Sequence, residues 1–170
     1  MTPWNETPED IDSEKAFALS VSSDNNHDLG FIKLEALKFE VDFAIASKSL
    51  LVGNQPKILG VAEIKIRNTP MSKYPTLFLN LTKWMSLRRY SILSDLPFVL
   101  LVRWQDQDAM FYESPATNND VDSPRFEVAW GGRSDRGQEQ DMNPLIHIPI
   151  FMFEPVSGLS DRLKVWHKPW

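Results

Sequence analysis

Residues 97–104, PFVLLVRW, form a nearly continuous apolar run. Such a run is typical of a β-strand that is buried on both faces of its sheet. A predicted helix precedes this strand, and another predicted strand precedes the helix. A helical crossover between two strands of one sheet indicates that the strands lie parallel. We therefore expect an α/β (α+β) fold built on a central mixed sheet.

Two predicted strands before that helix carry charged residues at suggestive positions. In KFEVDFAIA, residues 38–46, apolar and polar side chains alternate, which places Asp42 on the face opposite the apolar set. In ILGVAEIKIRN, residues 58–68, Glu63 and Lys65 stand two positions apart and therefore project from the same face. The turn sequence GNQ, closed by a proline, lies between the two strands. If the strands pair as a hairpin, Asp42 can approach Glu63 across the ladder.

The helix that follows is predicted to begin after Asn80, which serves as its cap, and to end near Leu93. Lys83 is expected in the first turn, on the side opposite the apolar stripe. Arg88 lies within the stripe, where a guanidinium group requires a carboxylate partner or a role in a site. The apolar stripe consists of Leu81, Trp84, Met85 and Ile92.

The remaining elements give the order α-β-β-β-α-β, followed by additional strands. A first helix is expected from Glu9 to about Val21, with Thr7 or Asp10 as its cap. Other strands are expected at residues 29–37, 109–114, 126–130 and 144–153. We expect one domain over residues 1–170, with a core at about 9–104 and a C-terminal β extension at 105–170.

Composition limits the kinds of site that the chain can build. It has no cysteine and three scattered histidines, which leaves neither a thiolate site nor a histidine cluster. Oxygen ligands would therefore hold any metal, which favours Mg²⁺ or Mn²⁺. The net charge of −5 argues against coating nucleic acid by bulk electrostatics, but not against contact along a local basic strip. With no apolar run near 18 residues and no recognisable signal segment, we expect a cytoplasmic protein without a membrane span.

Asp42, Glu63 and Lys65 supply the groups that suit metal-dependent phosphodiester hydrolysis, which needs a nucleophilic water and stabilisation of charge on the transition state. Carboxylates hold one or two divalent ions, which activate water and stabilise the charge on the transition state. A lysine beside the metal can orient or deprotonate the water, or offset charge on the phosphate. The backbone carbonyl of Ile64, between Glu63 and Lys65, is a natural additional ligand.

The motif VDFAI, followed twenty-one residues later by AEIKIRN, resembles the PD-(D/E)XK nuclease superfamily. Stretches of small phage-encoded proteins of this kind resemble the later segments KYPTLFLNLTKW, PFVLLVRW and WGGRSDRGQEQDMNPLIHIP. The resemblance covers about residues 9–104 and implies the restriction-endonuclease-like fold, whose core order is αβββαβ. It makes Asp42 and Glu63 the metal ligands and Lys65 the catalytic lysine. One departure is that Val41, rather than proline, precedes the first aspartate.

The resemblance also implies residues outside the central motif. The superfamily often carries an acidic residue on its first helix, for which Glu14 or Glu9 is the candidate. It often places a polar or basic residue on the helix after the second motif, for which Lys83 is the first candidate and Arg88 the second.

The predicted function is a Mg²⁺- or Mn²⁺-dependent nuclease acting on DNA, and the resemblance allows for a homodimer. Phosphate contacts are expected from basic residues near the motif and in the GGRSDRG loop, namely Arg67, Lys73, Lys83, Arg88, Arg133 and Arg136. One alternative is a catalytically inactive nuclease-fold protein that binds nucleic acid or has a structural role. In that case, Glu63 and Lys65 are members of an ion-pair ladder on a solvated sheet face. Another alternative is an assembly protein whose C-terminal strands form an interface.

Overall fold

The structure is a computed structural model, and it describes residues 7–34, 41–115, 126–131 and 142–166. The described helices are α1 (Pro8–Asp24), α2 (Leu81–Ser94) and α3 (Leu159–Trp166). The described strands are β1 (Leu29–Lys33), β2 (Phe43–Val52), β3 (Gln55–Ile66), β4 (Thr76–Asn80), β5 (Phe98–Arg103), β6 (Asp108–Glu113), β7 (Glu127–Gly131), β8 (Asn143–Pro149) and β9 (Glu154–Pro155).

The described strands form two sheets. The larger sheet has the order β1-β2-β3-β5-β6-β9, and the smaller one has the order β4-β8-β7. The predicted parallel pairing of β3 with β5 is confirmed, with Glu63 opposite Leu100. The other pairings are antiparallel, so the larger sheet is mixed, as expected. The connection from β3 to β5 passes through β4 and α2.

Strand β5 shows why the larger sheet has a layer on each face. Its residues Phe98 to Val102 have no solvent exposure. Leu100 and Val102 belong to the cluster that includes α2 and the smaller sheet. Val99 and Leu101 belong to the cluster that includes α1 and α3. The prediction that β5 is buried on both faces is confirmed, and the strand lies in the middle layer of a three-layer arrangement.

Side-chain caps define where the first two helices begin. The Thr7 hydroxyl accepts a hydrogen bond from the backbone N–H of Asp10, whose carboxylate accepts one from the N–H of Thr7. This capping box confirms Thr7, one of the two predicted caps, and the helix begins at Pro8, one residue before the predicted start. The Asn80 side chain accepts a hydrogen bond of 2.9 Å from the N–H of Thr82, which confirms the cap of α2.

The predicted buried face of α2 is confirmed for Trp84, which is buried, and for Leu81, which packs against the core, but it was wrong for two other members. Met85 and Ile92, which were assigned to it, are 61% and 45% exposed. The buried positions of the helix are Lys83, Trp84, Leu87 and Ser91. Lys83 therefore lies on the side that faces the sheet, not on the opposite side as expected. The helix has this orientation because Trp84 and Leu87 pack into the apolar layer between α2 and the sheet. The buried Lys83 forms ion pairs with the carboxylates of Asp42 and Glu63.

The chain also departs from the predicted elements elsewhere. The final strand, expected over 144–153, ends at Pro149 and is followed by a 3-10 turn at Ile150–Met152. Strand β4 and helix α3 were not predicted. Residues 35–40, part of the predicted strands on either side, lie outside the described residues, as do Arg133 and Arg136.

Gly60 is a point of close approach between the sheet and its neighbours. A Cβ atom at this position would lie 2.8 Å from the carbonyl oxygen of Pro97 and 3.2 Å from the Leu163 side chain. Glycine thus allows β3 to meet the start of β5 and the helix α3 at van der Waals distance. Among the described residues, no helix is long and apolar enough to cross a lipid bilayer.

Candidate active site

Asp42 lies immediately before β2, at the end of the hairpin that β2 forms with β3. Its carbonyl oxygen accepts a hydrogen bond of 2.9 Å from the N–H of Leu34, which holds it against the edge strand β1. The next residue, Phe43, pairs with Ala62. One step further along this antiparallel ladder, Asp42 lies beside Glu63, as the hairpin prediction required.

Glu63 and Lys65 project from β3 toward the α2 side of the sheet. Glu63 has no solvent exposure, because β5 pairs alongside it and α2 covers it. The Lys65 ammonium group forms an ion pair with Glu63 Oε1, and its side chain is 23% exposed. The spacing of two residues thus gives a buried carboxylate with a lysine that reaches solvent.

Lys83 reaches the same cluster from the first turn of α2. Its Nζ atom lies 2.8 Å from Asp42 Oδ1 and 2.8 Å from Glu63 Oε2. The adjacent Trp84 packs edge-on against Phe98, with the ring centroids 5.2 Å apart. This contact fixes the first turn of α2 over the sheet, so that three separate elements bring their charges together.

Burial is the main influence on Glu63. It raises the pKa of Glu63 to about 7, against the opposing charge of Lys65. A hydrogen bond with Asp42, in which protonated Glu63 donates, and the negative charge of Asp42 raise this pKa further. The site therefore contains a carboxyl group that is costly to ionise without a nearby cation.

Asp42 and Lys83 have pKa values that favour their charged forms. Burial acts to raise the pKa of Asp42, but the hydrogen bond with Glu63 and the charge of Lys83 outweigh it, so that the pKa is lowered. Burial acts to lower the pKa of Lys83, but the charges of Glu63 and Asp42 outweigh it and raise the pKa. Lys83 is thus an ammonium group held by carboxylates.

The sequence of the chain matches a known family. A family model described as "Phage putative PDDEXK endonuclease" matches residues 1–156. The chain belongs to this family. This membership confirms the resemblance to PD-(D/E)XK nucleases seen in the sequence. The assignment of the family motif to Asp42, Glu63 and Lys65 remains a prediction.

A solved structure supports the same fold. The chain is similar to the Holliday junction resolvase Hjc of the archaeal hyperthermophile Archaeoglobus fulgidus, with a TM-score of 0.50 and 8% sequence identity. The match covers 86% of this chain and 99% of that chain. At this identity it shows the fold alone, and it confirms the predicted restriction-endonuclease-like architecture. No curated protein gives a significant sequence match.

The oxygen donors of Asp42 and Glu63 fit a hard divalent cation. Neither Glu63 oxygen accepts a hydrogen bond of regular geometry, although both are buried. Within the described part of the chain, no group of three or more histidine, cysteine or acidic side chains could hold a metal. Among the described residues, the side chains of the cluster that could hold an ion are the two carboxylates of Asp42 and Glu63, and the Ile64 carbonyl is the predicted third ligand. Oxygen ligands of this kind suit Mg²⁺ or Mn²⁺.

Arg67 and Lys73 follow β3 along the chain. The Arg67 N–H donates to the carbonyl of Arg103 at 2.8 Å, which extends the pairing of β3 with β5. The Lys73 ammonium group lies 5.3 Å from the ring centroid of Tyr74. Their contact with DNA remains a prediction.

Arg88 has a carboxylate partner, which was one of the two explanations predicted for its position on the helix. Its Nε atom lies 3.7 Å from Glu113 Oε1, and the Glu113 side chain is 4% exposed. Glu113 was not singled out in the sequence. Its signal was its place on β6, where it continues the alternation of Ala109 and Phe111, which are both buried in the same cluster. The DNA contact predicted for Arg88 remains a prediction.

Glu14, one candidate for the first-helix acid, contacts β1. Its Oε2 atom lies 2.9 Å from the ammonium group of Lys33. Glu9, the other candidate, is exposed in the first turn of α1.

Proposed function

We propose that this protein is a divalent-metal-dependent nuclease that hydrolyses the phosphodiester bonds of DNA. The observation that supports this proposal is the buried cluster of Asp42, Glu63, Lys65 and Lys83. A fully buried carboxylate is costly in a fold unless a cation or hydrogen bonds offset its charge. A cation site explains why an acid is kept in the central layer of this protein.

In this proposal Asp42, Glu63 and the carbonyl of Ile64 hold Mg²⁺ or Mn²⁺. When bound, the ion supplies Lewis-acid stabilisation of the negative charge that develops on the phosphate. The burial of Glu63 keeps water away from the carboxylates, which strengthens their electrostatic interactions. The sheet and α2 hold both acids in place before the substrate arrives.

Lys65 has the position of a group that acts on the attacking water. Its ammonium group is anchored on Glu63, while its side chain is partly exposed on the solvent side of the cluster. From there it can donate a hydrogen bond that orients the water, and its charge favours the increasingly negative phosphate. Arg67 and Lys73 supply the local positive charge that an acidic protein needs to hold DNA.

One observation favours the alternative of a non-catalytic nuclease fold. The two carboxylates and the two ammonium groups of the cluster balance each other in formal charge. A balanced buried network can serve as a structural element. A cleavage and metal-binding experiment distinguishes the nuclease from the non-catalytic fold.

The experiment incubates the protein with linear, nicked and four-way-junction DNA in the presence of Mn²⁺. Glu63→Gln removes one proposed ligand with little change of volume, and Glu127→Gln, at an exposed position of β7, is the matched control. We expect cleavage by the wild type and the control and none by Glu63→Gln. No cleavage of any substrate, together with no Mn²⁺ binding by calorimetry, would support the non-catalytic alternative.

The homodimer implied by the resemblance is a separate proposal. Sedimentation velocity over a range of concentrations tests it, and a strict monomer at all concentrations would contradict it.

A further inference from the structure

The Lys83 ammonium group takes up the position between the two acidic side chains. It is at hydrogen-bond distance from one oxygen of Asp42 and one oxygen of Glu63, at 2.8 Å each. Lys65, in contrast, pairs with the other oxygen of Glu63 alone. Of the two lysines, only Lys83 bridges the acids.

A divalent ion held by both acids needs the oxygens that Lys83 contacts. Mg²⁺ requires oxygen ligands at roughly 2.0–2.1 Å, so it would enter the space that the ammonium group fills. The Lys83 side chain is 9% exposed, which leaves little room for a second cation beside it. Two positive charges in this buried space would also repel each other strongly.

We infer that Lys83 is a built-in competitor of the divalent ion for Asp42 and Glu63. Metal binding is then a cation exchange, in which the ion replaces the ammonium group and Lys83 turns away without losing its proton. The released ammonium group becomes available to a phosphate of the substrate. This inference rests on the proposed function, and it adds that metal binding and phosphate binding are coupled through one side chain.

The geometry indicates Lys83, rather than Lys65, as the group that is displaced. Lys65 is partly exposed and can keep its contact with Glu63 while an ion approaches from the side of Asp42. Lys83 cannot keep both of its contacts, because each of them uses an oxygen from a different proposed ligand. Its flexible four-carbon side chain permits the movement without displacement of α2.

Calorimetric titration with Mn²⁺ alone tests the exchange. Lys83→Met removes the competing positive charge and replaces lysine with another long, unbranched side chain that is uncharged. We expect its dissociation constant for Mn²⁺ to fall by on the order of tenfold or more, a difference of about 1.4 kcal/mol per factor of ten. Lys83→Arg, which keeps a positive charge, should bind no more tightly than the wild type. Lys48→Met, at an exposed position of β2, is the matched control and should not change the affinity.

A second measurement uses the wild type and therefore does not depend on the folding of any variant. Buried ion-paired ammonium groups exchange their protons slowly and give lysine ¹⁵Nζ signals in NMR spectra. The Lys83 signal, assigned by its loss in Lys83→Arg, should be present in EDTA and should shift or broaden beyond detection when diamagnetic Mg²⁺ is added. A signal that stays unchanged at saturating Mg²⁺ would overturn the exchange.

The outcomes separate this inference from the proposed function. If the wild type binds no Mn²⁺, or if Glu63→Gln binds it equally well, the proposed metal site fails. If binding depends on Glu63 but Lys83→Met binds Mn²⁺ no more tightly than the wild type, the exchange alone fails.

Discussion

Glu113 offers a test of the electrostatics on the α2 side of the sheet, because its carboxyl group is buried and loosely paired. Its side chain is 4% exposed, and the Arg88 Nε atom is 3.7 Å away. Burial raises the pKa of Glu113 to about 7, although the positive charge of Arg88 opposes the rise. Glu113→Gln keeps the shape of the side chain and removes its titration.

The sign of the effect follows from the two pKa values. In the unfolded chain the ordinary value of 4.5 applies, and in the folded protein the value is about 7. Between these values the folded protein retains a proton that the unfolded chain has lost, so stability falls as the pH rises from about 4.5 to about 7. At roughly 1.4 kcal/mol per pH unit, the loss in the wild type is about 3 kcal/mol.

Urea denaturation followed by tryptophan fluorescence measures this loss. The stability of Glu113→Gln relative to the wild type should be about 3 kcal/mol more favourable at about pH 8.5 than at about pH 4. The comparison of two proteins at each pH removes the contribution of every other titrating group. Glu127→Gln is the control, because its side chain is exposed.

The reasoning would be refuted if the stability difference between Glu113→Gln and the wild type were the same at both pH values within about 0.5 kcal/mol. That result would mean that Glu113 is solvated or better paired than the geometry shows. A change of equal size in Glu127→Gln would also refute it, because the pH dependence would then not come from burial.

Three further predictions concern the elements that hold the site. Gly60→Ala should lower the free energy of unfolding, measured by thermal or urea denaturation, by about 1–3 kcal/mol, because the added Cβ meets a backbone oxygen. Its control is Gly158→Ala, whose added Cβ meets nothing within 4 Å and should change the free energy of unfolding by less than about 0.5 kcal/mol. Lys65→Ala should abolish DNA cleavage and leave Mn²⁺ binding by calorimetry intact, and retained cleavage would remove Lys65 from its proposed role. Asn80→Ala should destabilise the protein by about 1 kcal/mol, because the first turn of α2 loses its cap, whereas an unchanged urea midpoint would show that the cap is not needed.

The parts of the fold that were predictable from the sequence depend on short-range patterns. The burial of β5 follows from its uninterrupted apolar residues, and the common face of Glu63 and Lys65 follows from the geometry of any strand. The caps of α1 and α2 are also local, since each involves residues two or three positions apart. These features need no knowledge of the rest of the chain.

The orientation of α2 could not be predicted because a distant contact determines it. A lysine is normally assigned to the solvent side of a helix, and the burial of Lys83 is favourable only because Asp42 and Glu63 lie beneath it. Those acids come from other elements, 41 and 20 positions earlier in the chain. The apolar pattern of the helix therefore placed Trp84 correctly, but it also included Met85 and Ile92, which are exposed, and it left Lys83 on the opposite side.

Two short elements, β4 and α3, were also missed in the sequence. Strand β4 has only five residues, and the alternation of its buried and exposed side chains identifies it as a strand only when its partner β8 is known. Helix α3 has eight residues, but its spacing of Leu159 and Leu163 was a signal that the sequence offered. Both leucines are fully buried against the α1 side of the sheet.

The connection of β4 to α2 affects when the candidate site can form during synthesis of the protein. The backbone of β4 runs directly into the helix that carries Lys83, and Asn80 at the junction pairs with Leu145, 65 positions later. On the ribosome, β4 therefore remains unpaired with β8 until residues 145–149 have been synthesised. We expect the first turn of α2 to settle over the two acids only after β8 has emerged, so the candidate site would stay incomplete in the nascent chain until that point.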